Sequence, residues 1–425
     1  MADLNSRNTA ITTRRWICSQ IGAREHYAIP RVLHRSGKLE CLFTDFWASA
    51  PLRLIGRMTG KTSLATRFHP ELADASVTAF NLSTLLESRQ HIANPYEGFL
   101  QAGKAYGRSV VKALDSKRSS DEAARIFFGY DTGFLEPARW INDKGGKTVV
   151  CQMDPSRFEV DIVKAEEKRW QGWARRMVHV PEAYFRRREE EWEVADLVMV
   201  NSEWTRQALF HQGVNADKIV VVPLAFEREH SENGGQKVLG GNSGFKLPVS
   251  GFTHAHPLRI LFLGQVILRK GIQYLVEAAR LLKDEPIVFD VVGSIGISDE
   301  AMAFAPESMT FHGSVNRNRT GQFYRNSDVF VLPTLSDGFA LTQIEAMAQG
   351  LPVITTPNCG EVVCDQTDGL IVSPGDPMAL AEALQMVLQD PGRLSEMSRA
   401  AREKAGMFGF DRLEANLEAL EGILG

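Results

Sequence analysis

The stretch PTLSDGFALTQIEAMAQGLPVITT, residues 333–356, ends one apolar run and opens another. Val329–Leu332, just before it, has the continuous apolar pattern of a strand buried on both faces, and Pro333 halts it. A short polar turn, Ser336-Asp337-Gly338-Phe339-Ala340, leads into a helical stretch from Leu341 to Gln349. Gly350-Leu351-Pro352 stops that helix, and a second β-branched run follows. Strand, helix and strand in this order specify a βαβ unit with parallel strands. Two acids stand out: Asp337 on the turn, and Glu345 inside the otherwise apolar helix.

Outward from this unit the alternation continues. Toward the N-terminus lie strand Arg259–Gly264, helix Gly271–Lys283, strand Ile287–Gly293, strand Met309–His312 and helix Gly321–Asn326; strand Leu370–Val372 and helix Pro377–Leu388 follow. The first half repeats the theme less cleanly, with strands at Arg15–Ser19, Ala124–Phe128, Thr148–Gln152, Leu197–Asn201 and Ile219–Pro223. Helices are expected at Ile162–Trp173, Glu182–Ala195 and Ser202–His211, the last with Ser202 as N-cap and Gly213 as its stop. The fold class is therefore α/β, with two doubly wound, Rossmann-like domains. Residues 1–228 form the N-terminal domain and residues 258–408 the C-terminal one. The Gly-, Ser- and Asn-rich segment 229–257 is a linker or excursion. Two such halves imply a crevice onto which the carboxyl ends of both sets of strands open.

Composition sets bounds. The chain has 425 residues, 44% hydrophobic and 24% charged, with a net charge of −4, so nothing global attracts nucleic acid. The 5 cysteines are scattered and odd in number, which suits reduced thiols rather than a disulfide framework or a metal site. The polar N-terminus and the lack of a long apolar run point to a cytoplasmic protein.

The turn Ser336–Ala340 is expected to aim free backbone N–H groups and a positive helix end at the crevice, an anion site suited to a diphosphate. Gly338 permits close backbone approach. Glu345, among Ile344, Ala346, Met347 and Ala348, needs a partner if buried, and ribose hydroxyls would serve. The plainer alternative is a helix-capping Asp337 and a partly exposed Glu345.

The stretch resembles the sugar-nucleotide signature of the retaining glycosyltransferases of the GT-B fold (family 4, group 1): an acid, Gly-Phe-Gly-Leu, a Glu, then Ala-Met-Ala and Gly-x-Pro-Val-Ile. Here it reads Asp337, Gly338-Phe339-Ala340-Leu341, Glu345, Ala346-Met347-Ala348 and Gly350-Leu351-Pro352-Val353-Ile354. Gly264, Lys270-Gly271, Gly293, Gly313, Gly360-Glu361 and Asp368-Gly369 agree in order. The resemblance implies that Glu345 holds the nucleotide ribose and that Asp337 contacts hydroxyls of the transferred sugar. Amides from Gly338, Phe339, Ala340 and Leu341, near Gly264, Gly293 and Gly313, would hold sugar and phosphate. Lys270 would neutralise the leaving diphosphate. An arginine is usual where this chain has Gln265, and Arg269 is the candidate replacement. The first acid is Asp rather than Glu, and Ala340 stands for a common glycine; both point to altered donor preference.

On the acceptor side the resemblance implies a glycine loop after the first strand, here Gln20–Tyr27 with Gly22. Arg24, Glu25 and His26 are expected at a helix start facing the crevice. Where relatives carry a later histidine this chain has none, and Asp154 takes that place; its plainer meaning is a turn acid before proline. Tyr130 and Asp131 form a further lining pair. Basic runs at Arg53–Arg67 and Arg175–Arg188 read as solvated faces or as contacts to an anionic lipid surface, at the inner face of a membrane. A final helix, 409–425, crosses back to the N-terminal domain.

The expected activity is thus transfer of a sugar from a nucleotide-diphosphate donor to a glycan or lipid-linked acceptor in cell-surface polysaccharide or glycolipid synthesis. It is expected to be retaining, with neither metal nor cofactor. The alternatives are a sugar-nucleotide epimerase of the same fold, or a nucleotide-sugar-binding module without turnover. The base, sugar, acceptor, linkage and oligomeric state are not legible.

Overall fold

A computed structural model describes residues 14–48, 67–81, 94–116, 122–177, 179–227 and 251–425. Residues 53–66 of the first basic run and 229–250 of the linker lie outside the described residues.

The first sheet has seven strands: β1 (Arg15–Gln20), β2 (Leu39–Thr44), β3 (Val77–Ala79), β4 (Arg125–Tyr130), β5 (Lys147–Gln152), β6 (Leu197–Val200) and β7 (Ile219–Val221). Their order is β3-β2-β1-β4-β5-β6-β7, and β1 pairs in parallel with both β2 and β4. The second sheet has six: β8 (Leu258–Leu263), β9 (Ile287–Val292), β10 (Met309–Gly313), β11 (Val329–Leu332), β12 (Val353–Thr355) and β13 (Gly369–Ile371). Its order, β10-β9-β8-β11-β12-β13, is parallel throughout. Both orders reverse direction beside their first strand, which is the doubly wound topology that places ligands at the carboxyl ends flanking the reversal. The chain is an α/β protein of two such sheets, as its sequence pattern implies.

Contacts divide the chain into two compact units. One contains Met1–Cys151, Pro181–Met199 and Leu417–Gly425, and the other Gln152–Val180 and Val200–Asn416. The core of the second is built from the strands themselves. Ile260, Phe289, Val331 and Ile354 are all but inaccessible, because a parallel sheet covered on both faces has no solvent side to its strands. In the first unit, the end of the terminal helix Phe410–Ile423 is held by Lys38, whose ammonium lies 3.0 Å from Glu421 and 3.5 Å from Glu418.

Ser202 caps its helix through the Thr205 amide, and Gly213 takes a left-handed conformation after it. The helix expected at 162–173 instead spans Arg157–Arg169. Its apolar tail leaves the helix to pack: Trp170 and Trp173 meet edge to face at 4.9 Å, and Trp173 enters the core of the second unit.

Candidate functional site

In the second sheet the order reverses between β8 and β11, so the segments leaving those strands are the place to look. They are locked together. Gly271, which follows Lys270, has φ +74, and a β-carbon there would lie 1.8 Å from the Pro333 carbonyl oxygen. The Arg269 carbonyl accepts from the Leu335 amide at 2.9 Å and from the Thr334 hydroxyl at 3.1 Å. Lys270 and the Ser336 turn are therefore held side by side.

The lock brings Lys270 onto the Asp337 carboxylate. Arg269 lies 3.8 Å from the other Asp337 oxygen and donates to the Ser336 carbonyl at 3.0 Å. A carboxylate that the sequence does not flag completes the group: Glu159 lies 3.3 Å from Arg269 and accepts from the Ser336 hydroxyl at 2.9 Å. Trp204 donates its indole N–H to that same hydroxyl at 3.2 Å. Burial and the like charge of Arg269 push the Lys270 ammonium down to about 7, against the pull of Glu159 and the Asp337 contact. Burial, first, and the charge of Asp154 push Glu159 up, while Arg269 and Lys270 hold it down.

Asp337 does not cap the following helix. The cap position of helix Leu341–Ala348 is Ala340, and no side chain bonds the first amides there. Two amides of the turn are engaged: Asp337 donates to the Asn358 carbonyl at 2.9 Å and Ala340 to the Cys359 carbonyl at 3.4 Å. Gly338 is needed by the protein itself, since a β-carbon there would sit 1.8 Å from the Met153 carbonyl oxygen and 2.9 Å from Asn201 Nδ2. Phe339 is buried against Phe408 at 6.2 Å, Ala340 is buried beside it, and Leu341 packs on the core. Glu345 is half-buried and accepts from the Tyr324 hydroxyl at 2.9 Å.

At the ends of β8, β9 and β10 the glycines converge. Gly293 approaches Gly264 so closely that a β-carbon would lie 1.7 Å from the Gly264 oxygen, and its amide donates to Gly313 at 2.9 Å. A β-carbon on Gly264 would meet nothing within 4 Å, and Gln265 is exposed beside it. Asp154 fits its plainer reading: its carboxylate accepts from the Ser156 amide at 2.8 Å, closing a turn.

In the first unit the reversal falls between β1 and β4. Gly22 has φ +89, and its amide donates to Asp45 at 2.8 Å; Arg67 binds the same oxygen at 2.8 Å. The expected helix start at Arg24 is displaced to Ala28, because Glu25, His26 and Tyr27 have φ 49, 52 and 61. Each left-handed residue costs about 1–2 kcal/mol, so the segment is strained where function tends to lie. The turn sets the Arg24 guanidinium 5.6 Å over the Tyr130 ring and brings the Tyr130 hydroxyl to donate to Glu25 at 3.1 Å. Burial is the main cause that raises Glu25 to about 7. His26 is exposed.

Asp131 is buried, 2.5 Å from buried Arg188, while Arg187 lies 2.7 Å from Glu136. Those two arginines of the second basic run are thus internal ion pairs rather than a solvated face or a lipid contact. Among the described residues, no helix is long and apolar enough to cross a membrane. Glu159, Trp204, Tyr324, Asn358 and, in the first unit, Asp45 are among the polar residues that sequence reasoning misses.

Residues 257–390 match the family described as Glycosyl transferases group 1. The D-inositol 3-phosphate glycosyltransferase of Xylanimonas cellulosilytica is 34% identical over 166 residues, 37% of this chain and 40% of the relative. Its counterpart in an Arthrobacter species is 32% identical over 174 residues, 38% of this chain and 41% of the relative. The chain thus spans about two fifths of the length of these curated relatives. Among solved structures, sucrose-phosphate synthase from Thermosynechococcus elongatus superposes with a TM-score of 0.58 at 18% identity, covering 97% of this chain and 99% of that one. HepE from Anabaena, solved in complex with UDP, gives 0.58 at 13% identity, covering 96% and 100%. At these identities the likeness is one of fold, the GT-B fold.

Proposed function

We propose that this chain, which belongs to the group 1 glycosyltransferases through its residues 257–390, moves a sugar from a nucleotide-diphosphate donor to a glycan or lipid-linked acceptor. The observation that carries this is the lock that sets Lys270 and Arg269 beside Asp337 at the strand-order reversal. A departing diphosphate needs fixed positive charge, and a partly desolvated ammonium supplies it more strongly than one in water. The diphosphate would in turn keep Lys270 protonated. Glu345, paired with the Tyr324 hydroxyl, is the ribose acceptor, and Asp337 is the group that meets the sugar. That HepE was solved with UDP supports a uridine donor as the first to try.

In the same reading the acceptor meets the strained Arg24–Tyr27 turn, with Glu25 and Tyr130 offering a carboxyl and a hydroxyl. The reaction is retaining and uses no metal, since the resident cations take the metal's place at the phosphates. Its setting is cell-surface polysaccharide or glycolipid synthesis, with the protein in the cytoplasm and in peripheral contact with the membrane. Binding without turnover is the second reading, favoured by the exposed Gln265 where an arginine is usual.

A thermal-shift screen of UDP, GDP, ADP and their sugars, with and without EDTA, tests the donor. Transfer to glycan and lipid-linked acceptors, with the product's anomeric configuration read by NMR, tests the reaction. Stabilisation by one nucleotide sugar that survives EDTA, followed by an anomer-retaining product, is expected. Indifference to every nucleotide would sink the donor reading, and an inverted product the retaining one.

A further inference from the structure

With Lys270 protonated, the cations at the Ser336 turn are matched charge for charge. Lys270 lies on Asp337, and Arg269 lies 3.3 Å from Glu159 and 3.8 Å from Asp337. The side chains are 12–21% exposed, so water does little to relieve an excess charge there. A nucleoside diphosphate engaging both cations adds at least two negative charges to a balanced site. One carboxylate must then stay buried and ionised without its partner, or become neutral.

Asp337 and Glu159 differ in which of these is open to them. Asp337 faces both cations and, in the function proposed above, a sugar. Glu159 faces Arg269 and Lys270 from one side, the charge of Asp154 from another, and the Ser336 hydroxyl at 2.9 Å. When the cations turn toward phosphate, Glu159 keeps its burial and the repulsion of Asp154 and gains that of the diphosphate. Its hydrogen bond with Ser336 needs no charge.

We infer that Glu159 is a further residue of the donor site and takes up a proton from solvent when a nucleoside diphosphate engages Lys270 and Arg269. This rests on the donor reading above. Neutral Glu159 keeps its hydrogen bond with the Ser336 hydroxyl while removing a negative charge beside the cations that meet the phosphates. The cation pair is thus shielded in the empty protein and released by protonation in the loaded one.

Calorimetry of UDP binding at pH 8, in buffers of different ionisation enthalpy, counts the proton directly. Uptake in the wild type exceeding that of Glu159→Gln by nearly one proton per UDP is expected, because the protonation of Lys270 that a diphosphate also favours is common to both. Glu159→Gln keeps the shape and the hydrogen bonds, so it should bind UDP at pH 8 at least as tightly as the wild type, with about one proton less uptake and a shallower fall of affinity with pH. Its melting curve should match the wild type's. Uptake undiminished in Glu159→Gln would move the proton to Lys270, Asp337 or the phosphate and overturn the inference. Binding without uptake in the wild type would overturn it as well, leaving the donor reading intact. Failure of UDP, GDP and ADP alike to bind would remove both.

Discussion

Replacing Gly338 by alanine tests whether the turn is held by the protein's own backbone. The added β-carbon would begin 1.8 Å from the Met153 carbonyl oxygen, whereas ordinary contact starts at 3.4 Å, so about 1.6 Å must be found. Neither neighbour is free to move. The Met153 oxygen is bonded by Asn201 at 2.8 Å, and the Asp337 amide is fixed to Asn358 at 2.9 Å. Overpacking of this kind costs roughly 1–3 kcal/mol. For a unit of this size that is about 2–4 °C in melting temperature per kcal/mol, or roughly 2–12 °C in all. Displacing the turn by an ångström should also weaken UDP binding and slow transfer by up to about a hundredfold. Gly264→Ala is the control, because a β-carbon there meets nothing within 4 Å and φ is not in the left-handed region. It should change stability by no more than about 1 kcal/mol, in the stabilising direction if any. Melting followed by circular dichroism reads both variants, and UDP titration compares Gly338→Ala with the wild type. If Gly338→Ala melts like Gly264→Ala and binds UDP like the wild type, the close approach to Met153 does not exist in solution.

Lys270→Ala should slow transfer by about 10²–10³ while changing donor KM much less, because its charge matters most as the diphosphate leaves; equal loss in KM alone would assign it to ground-state binding. Glu345→Ala should weaken UDP affinity by roughly tenfold, the worth of a charged hydrogen bond or two, with Tm nearly unchanged; intact affinity would remove the ribose assignment. Glu25 carries a pH dependence whose sign is fixed by its shift from 4.5 to about 7. The folded state holds a proton there that the unfolded chain has released, so stability is greatest below pH 4.5 for this group and declines as pH rises through 7. The loss is of order 3 kcal/mol at most. Denaturation midpoints against pH should flatten in Glu25→Gln, and an unchanged slope would show that Glu25 is ionised throughout.

Strands were the most legible part of the sequence because parallel strands covered on both faces are written as plain apolar runs: Val329–Leu332 and Ile287–Val292 fall where pattern puts them. Helix ends were less so. The Trp170 and Trp173 side chains extend an apolar rhythm that the backbone does not follow, since their rings do the packing. Lys270 and Asp337 could be named from the motif, but their pairing could not, because it depends on Gly271 pressing against Pro333 across the sheet. Glu159 was invisible for a simpler reason. Its partners Arg269 and Ser336 lie 110 and 177 positions away, and nothing in its own helix sets it apart. Near Arg24 the error was of another kind: a charged first turn looks helical, and three left-handed residues in a row have no sequence signature apart from glycine or asparagine, which are absent there.

The clasp of the Arg269 carbonyl with the Thr334 hydroxyl and the Leu335 amide makes two loops a single moving part. Anything that tugs on Lys270 is felt at Asp337 through the Leu335 amide as well as through the ion pair of their side chains. A ligand that grips only the phosphate end should therefore slow hydrogen exchange at the Leu335 and Asp337 amides as much as one that also reaches the sugar end. Attempts to change sugar preference at Asp337 would then be judged first by whether the clasp survives, and only afterwards by the fit of the sugar.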